Sequence, residues 1–151
     1  MRTLFFSILL VSLSLSACKE KQVVNQDDID RQLIINYLEQ NKLVANRHPS
    51  GVYYIIDEPG GAGKPDVNST VTVTYDGKLL DGHRFDSGEF YTSKLSLLIQ
   101  GWQIGIPLIG EGGKIKLFIP STLAYGNRAQ GSIPANSVLI FDVSLHYFSN
   151  K

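Results

Sequence analysis

What is scarce in this sequence narrows its chemistry first. Cys18 is the only cysteine, and the three histidines, His48, His83 and His146, are far apart and lack ligand spacing, so no metal site is expected. The serines have no G-x-S-x-G setting and no visible base partner, which removes the usual nucleophilic chemistry. G-G-A-G-K at 60–64 falls short of a phosphate-binding loop. Glu58 stands where its first glycine belongs, and Pro65 follows Lys64 in place of Ser or Thr. Fourteen basic against fourteen acidic residues give a formal charge of zero, so no bulk attraction draws the chain to nucleic acid or to an anionic membrane surface. With 43% hydrophobic and 19% charged residues in 151, one globular core with appendages is expected, its partners recognised by shape and apolar contact.

The apolar run at the start is too short to span a bilayer comfortably. Arg2 gives a positive beginning, and Leu4 to Leu15 is interrupted only by serines, the pattern of a secretory signal. The run ends in L-S-A-C, with small Ser16 and Ala17 before Cys18, and so resembles the lipobox of bacterial lipoproteins. That resemblance implies cleavage before Cys18 and a diacylglycerol on its sulfur. Several acyl chains anchor firmly where one is marginal, which puts the protein in the cell envelope, facing the periplasm or in the outer membrane. An ordinary secretory signal with an incidental cysteine is the alternative. The expected organisation is a signal peptide over 1–17, a lipid-anchored tether and amphipathic helix over 18–50, and a globular domain over 51–151.

After a polar stretch from Lys19 to about Gln26, Asn25, Asp27, Asp28 and Asp30 supply capping and acidic side chains suited to a helix start. Ile29, Leu33 and Tyr37, flanked by Ile34 and Leu38, recur at helical spacing and predict an amphipathic helix to about Val44. Its apolar face packs on the main domain or makes a dimer. Beyond Arg47-His48-Pro49-Ser50-Gly51 the period becomes two. Val52 to Ile56 reads as a strand, Val71, Val73 and Tyr75 alternate with threonines, and Ile115, Leu117 and Ile119 alternate with Lys114, Lys116 and Phe118. Leu139, Phe141, Val143, Leu145 and Tyr147 form one face of a last strand. Between them, Trp102, Ile106 and Ile109 share a helical face that Pro107 and Gly110 keep short. The expected class is α+β, an antiparallel sheet half-wrapped around one short helix and preceded by an N-terminal helix.

Aromatic residues recur inside short phrases of the C-terminal two-thirds: V-T-Y-D-G, R-F-D-S-G, L-I-Q-G-W, L-A-Y-G and L-I-F-D-V. Brought together beside one aspartate, they suit a concave apolar site for a neutral, flat ligand. Taken in order with K-L-F-I-P and S-I-P-A-N-S, these phrases resemble the FKBP-type peptidyl-prolyl cis-trans isomerases over about residues 51–148. The resemblance implies Trp102 as the floor of a proline pocket, walls from Tyr75, Phe85 and Phe141, and rims from Leu98, Ile99 and Ile133. It also implies that the Ile99 backbone N–H binds a substrate carbonyl and that Asp86 and Tyr125 make the polar contacts. Tyr91 would be an outer aromatic contact, an assignment that depends on where the short segment from Glu89 to Leu97 loses residues. The implied substrates are proline-containing polypeptides and the implied inhibitors are macrolides, with no cofactor. An envelope folding catalyst, a tethered proline-binding module and a dimeric holdase built on the Asp27 to Val44 helix are all compatible with this reading. Oligomeric state and clients are not legible.

Overall fold

The structure is a computed structural model that describes residues 25–150; the expected signal peptide and the lipidation expected at Cys18 lie outside the described residues. Helix α1 (Gln26–Gln40) starts where Asn25 caps it, its side chain accepting from the Asp27 N–H at 3.3 Å, with Asp27 and Asp28 in the first turn. It stops four residues short of Val44, because the Asn41 side chain donates to the Tyr37 carbonyl and Lys42 takes a positive φ of 55°.

Six strands form one antiparallel sheet: β1 (Asn46–Arg47), β2 (Tyr53–Glu58), β3 (Thr70–Leu79), β4 (Arg84–Lys94), β5 (Lys114–Ile119) and β6 (Leu139–Ser149), in spatial order β1-β2-β5-β6-β3-β4. Helix α2 (Gln100–Gly105) runs on as a 3-10 helix, Ile106–Leu108, and Trp102, Ile106 and Ile109 are buried as their spacing predicts. The helix lies very close to β5. A Cβ at Gly101 would sit 2.4 Å from Ile119 Cγ2 and one at Gly105 2.5 Å from Leu117 Cδ2, so the absence of side chains at this i, i+4 pair sets the approach.

The sheet is covered on both sides. Its concave face packs Val52, Val71, Val73, Ile115, Leu117, Ile119, Leu139, Phe141, Val143 and Leu145 around α2. The other face packs Tyr53, Phe118, Val138 and Ile140 under Ile34 and Leu38 of α1. Strand β5 is therefore buried on both sides over Leu117, Phe118 and Ile119, and Phe118, read from the sequence as the outer side of an alternating strand, is fully covered where α1 crosses.

Two further expectations are corrected. The stripe that α1 buries is Asp30, Ile34 and Leu38, while Ile29 and Leu33 remain 40% and 41% exposed; the hydrogen bonds of Asp30 turn the helix one residue from its apolar sum. Tyr147 is exposed instead of following Leu145 into the core. A bulge pairs Thr72 with Tyr147 but Val73 with Leu145, so His146 is an extra residue, the alternation shifts, and Phe148 packs inward in its place. Strand β4 has no alternating signal because its register against β3 shifts twice.

Candidate active site

The concave face opens beside α2 into a cavity of about 270 Å³ lined by Tyr75, Asp86, Tyr91, Leu97, Leu98, Ile99, Trp102, Tyr125 and Phe141. Strand periodicity places Tyr75 on β3 and Phe141 on β6 on the same face, their ring centroids 6.2 Å apart. Trp102, in the first turn of α2, meets both edge-on, at 5.1 Å from Tyr75 and 5.1 Å from Phe141. Edge-to-face packing of this kind adds to burial and holds each ring in one orientation.

Strand β4 contributes through its irregularities. Gly77 pairs with Asp86 but Lys78 pairs with Arg84, leaving Phe85 as an extra residue, so consecutive Phe85 and Asp86 both serve the inner face. Gly77 makes room for this: a Cβ there would lie 2.8 Å from both Phe141 Cε1 and Phe85 Cε2. A second shift, between Val73–Tyr91 and Tyr75–Gly88, returns Tyr91 to the cavity with its ring 5.9 Å from Tyr75.

One carboxylate governs the polar side. The Tyr75 hydroxyl donates to Asp86 Oδ2 at 2.8 Å, and the Ser87 N–H donates to Oδ1 at 2.9 Å. Burial, then the Asp86 hydrogen bond and charge, push the Tyr75 phenol well above its ordinary value. Burial and the Asp86 charge raise Tyr125 as well. Both phenols therefore stay protonated and can donate throughout the neutral range. On the opposite side the Ile99 carbonyl accepts from the Trp102 and Gln103 N–H groups, and Gln103 Nε2 holds the Leu98 carbonyl at 2.7 Å. The Ile99 N–H itself, at the N-cap of α2, donates to no group among the described residues. The Trp102 Nε1 is buried and likewise has no acceptor among them. No three His, Cys, Asp or Glu side chains among the described residues come together where a metal could sit.

Eight of the residues expected from the sequence thus surround one cavity: Tyr75, Asp86, Tyr91, Leu98, Ile99, Trp102, Tyr125 and Phe141. Phe85 and Ile133 stand behind it. The Phe85 ring packs edge-on against Phe141 at 5.5 Å, and Ile133 is 5% exposed within the inner core. Leu97 was not anticipated; it is 78% exposed at the cavity rim, and the unbroken apolar run Leu97-Leu98-Ile99 is the signal that marks it.

The family model for FKBP-type peptidyl-prolyl cis-trans isomerases matches residues 61–146. The FKBP-type peptidyl-prolyl cis-trans isomerase FkpA of Aeromonas hydrophila is 47% identical over 100 residues, which is 64% of this chain and 37% of that relative. The chain therefore spans little more than a third of that protein's length. The crystal structure of FkpA from Escherichia coli superposes with a TM-score of 0.73 at 36% identity, covering 81% of this chain and 60% of the other. A peptidyl-prolyl cis-trans isomerase from Pseudomonas syringae pv. tomato gives a TM-score of 0.73 at 28% identity, covering 83% and 94%.

Proposed function

The chain belongs to the FKBP-type peptidyl-prolyl cis-trans isomerase family, and on that footing we propose that it accelerates rotation about X-Pro bonds in polypeptides folding in the cell envelope. The observation that carries the reading is the aromatic cavity in which Trp102 stands edge to face against both Tyr75 and Phe141, with an unengaged Ile99 N–H at its rim. Rotation faces a barrier of about 18–20 kcal/mol because resonance gives the C–N bond partial double-bond character. The twisted transition state has lost that resonance and is less charge-separated than the planar imide. An apolar aromatic cavity that excludes water disfavours the planar form relative to the twisted one. Each reduction of about 1.4 kcal/mol gives tenfold in rate.

In this reading the proline ring rests on Trp102 between Tyr75 and Phe141, with Phe85 stiffening Phe141 from behind. The Ile99 N–H and the Tyr125 hydroxyl hold carbonyls flanking the imide. Asp86 fixes the Tyr75 ring through its hydroxyl and sets the field at the twisting bond. Exposed Leu97 and Tyr91 extend apolar contact to residues beside the proline. No covalent intermediate or cofactor takes part. Macrolides that mimic a twisted prolyl imide compete for the same cavity.

In a protease-coupled assay on a short X-Pro peptide, the protein catalyses exchange, a Trp102→Ala plus Phe85→Ala variant loses it, and Asp86→Ala and Tyr125→Phe each lower it while remaining folded. A wild-type rate no higher than that of the double variant would sink the catalytic reading. The lipobox-like L-S-A-C supports lipid attachment at Cys18 and residence in the envelope. Intact-mass measurement of membrane-extracted protein shows added acyl chains that Cys18→Ser abolishes; a mass equal to the bare polypeptide contradicts the anchor.

A further inference from the structure

The chemistry proposed above makes no use of the most buried carboxylate in the described residues. Asp30 lies in the second turn of α1, past the free N–H groups of that helix, and its exposure is 0%. An uncompensated carboxylate in such a place is strongly destabilising. Its oxygens are instead fully engaged. Oδ2 accepts from the Ser121 N–H at 2.7 Å and from the Ser121 hydroxyl at 2.6 Å, and Oδ1 accepts from Gln26 Nε2 at 2.7 Å. One turn earlier, Asp27 Oδ1 accepts from the Thr122 hydroxyl at 2.6 Å.

Ser121, itself 1% exposed, starts the 3-10 helix Ser121–Leu123 that leads to Tyr125. Its carbonyl accepts from the Ala124 N–H at 3.0 Å and from the Gly126 N–H at 2.8 Å, one residue on each side of Tyr125. Ala124 takes the unusual conformation φ −124°, ψ −109°, and the Gly126 carbonyl is held in turn by the Asn136 N–H at 2.8 Å. A single serine residue thus connects the N-terminal helix to the backbone that aims a cavity-lining phenol.

We propose that Asp30 is a positioning residue for the isomerase site, acting through Ser121 to hold the Tyr125 hydroxyl over the cavity, so that helix α1 is part of the catalytic apparatus. The inference rests on the isomerase reading. Without the carboxylate, the Ser121 N–H and hydroxyl would be buried and unpartnered, and the turn would relax to find other acceptors. Tyr125 would then sample positions away from the imide.

Tyr125 replaced by fluorotyrosine and followed by fluorine NMR reads its surroundings independently of activity. In Asp30→Ala the signal shifts or broadens, and kcat/KM falls about tenfold at temperatures where the variant stays folded. Asp30→Asn restores most of both, because its carbonyl still serves Ser121 and the Gln26 amide can turn to accept from the new NH₂. In a Tyr125→Ala background, with no side chain left to aim, Asp30→Ala adds less than about twofold. Ile34→Ala loosens the same helix without touching Ser121 and leaves the fluorine signal in place. Should Asp30→Ala fail to fold, Ser121→Ala removes one donor alone and still shifts the signal. An unchanged signal and kcat/KM in folded Asp30→Ala, or the same tenfold loss with and without the Tyr125 side chain, overturns the proposal. A wild-type protein inactive on X-Pro peptides refutes the isomerase reading separately, and the fluorine signal then decides the positioning claim alone.

Discussion

Two phenols face one carboxylate at Asp86, and both are held in the protonated form. Burial is the larger cause for each, with the Asp86 charge adding to it. A phenol must be protonated to donate, so kcat/KM is expected to stay level from neutral pH to about 9 and to fall only above the ordinary tyrosine value of 10.0. Folding stability follows the same sign. The unfolded phenols ionise near 10.0 and the folded ones higher, so a contribution fully present below that value is lost as pH rises past it. A rate profile that declines between pH 6 and 8 with the fold intact would contradict the roles given to Tyr75 and Tyr125. At this scale the sequence was informative where alternation aims a side chain, as for Tyr75 and Phe141. It was silent about Asp30, whose place after Asn25, Asp27 and Asp28 reads as one more acidic residue at a helix start, because its partner Ser121 is 91 residues away.

The elements owe their spacing to small residues and to irregularities. Helix α2 sits against β5 through Gly101 and Gly105, and a methyl at either place would meet a branched aliphatic side chain at 2.4 or 2.5 Å, well inside van der Waals contact. Gly105→Ala should destabilise the protein by about 1–3 kcal/mol through overpacking against Leu117, read as a lower midpoint in urea with an unchanged slope. An unchanged midpoint would mean that the α2–β5 contact has room for a methyl group. Regular alternation made β2, β3, β5 and most of β6 legible. Strand β4 was not, since its two register shifts against β3 break the period that identifies a strand, and those shifts are what bring Phe85, Asp86 and Tyr91 to the site. The rotation of α1 was hidden for a related reason. Five apolar residues fit two overlapping stripes, and a buried carboxylate decided between them.

As a whole the molecule is a sheet covered on both faces, with α2 and the cavity on one side and α1 on the other. The ordered phrases from V-T-Y-D-G to L-I-F-D-V made the first side readable, because they carry the residues that shape the cavity. The second side was legible only as an apolar helix with two uses, and the burial of Ile34 and Leu38 against Tyr53, Phe118 and Ile140 shows that it packs on its own domain. Ile34 is fully buried, so Ile34→Ala should cost about 2–5 kcal/mol and lower the unfolding midpoint of the whole protein in one transition. Separate melting of α1 with the sheet unaffected would show that the helix is an appendage. The central claim is that the cavity itself rotates prolyl bonds. At equilibrium, NMR exchange spectroscopy on an X-Pro peptide reads cis–trans interconversion with no protease present. Catalytic amounts of the protein should produce exchange cross-peaks that the peptide alone, interconverting over tens to hundreds of seconds, does not show, and a macrolide or Trp102→Ala should remove them. Exchange no faster than in the free peptide, with the protein folded and its cavity open, would contradict it.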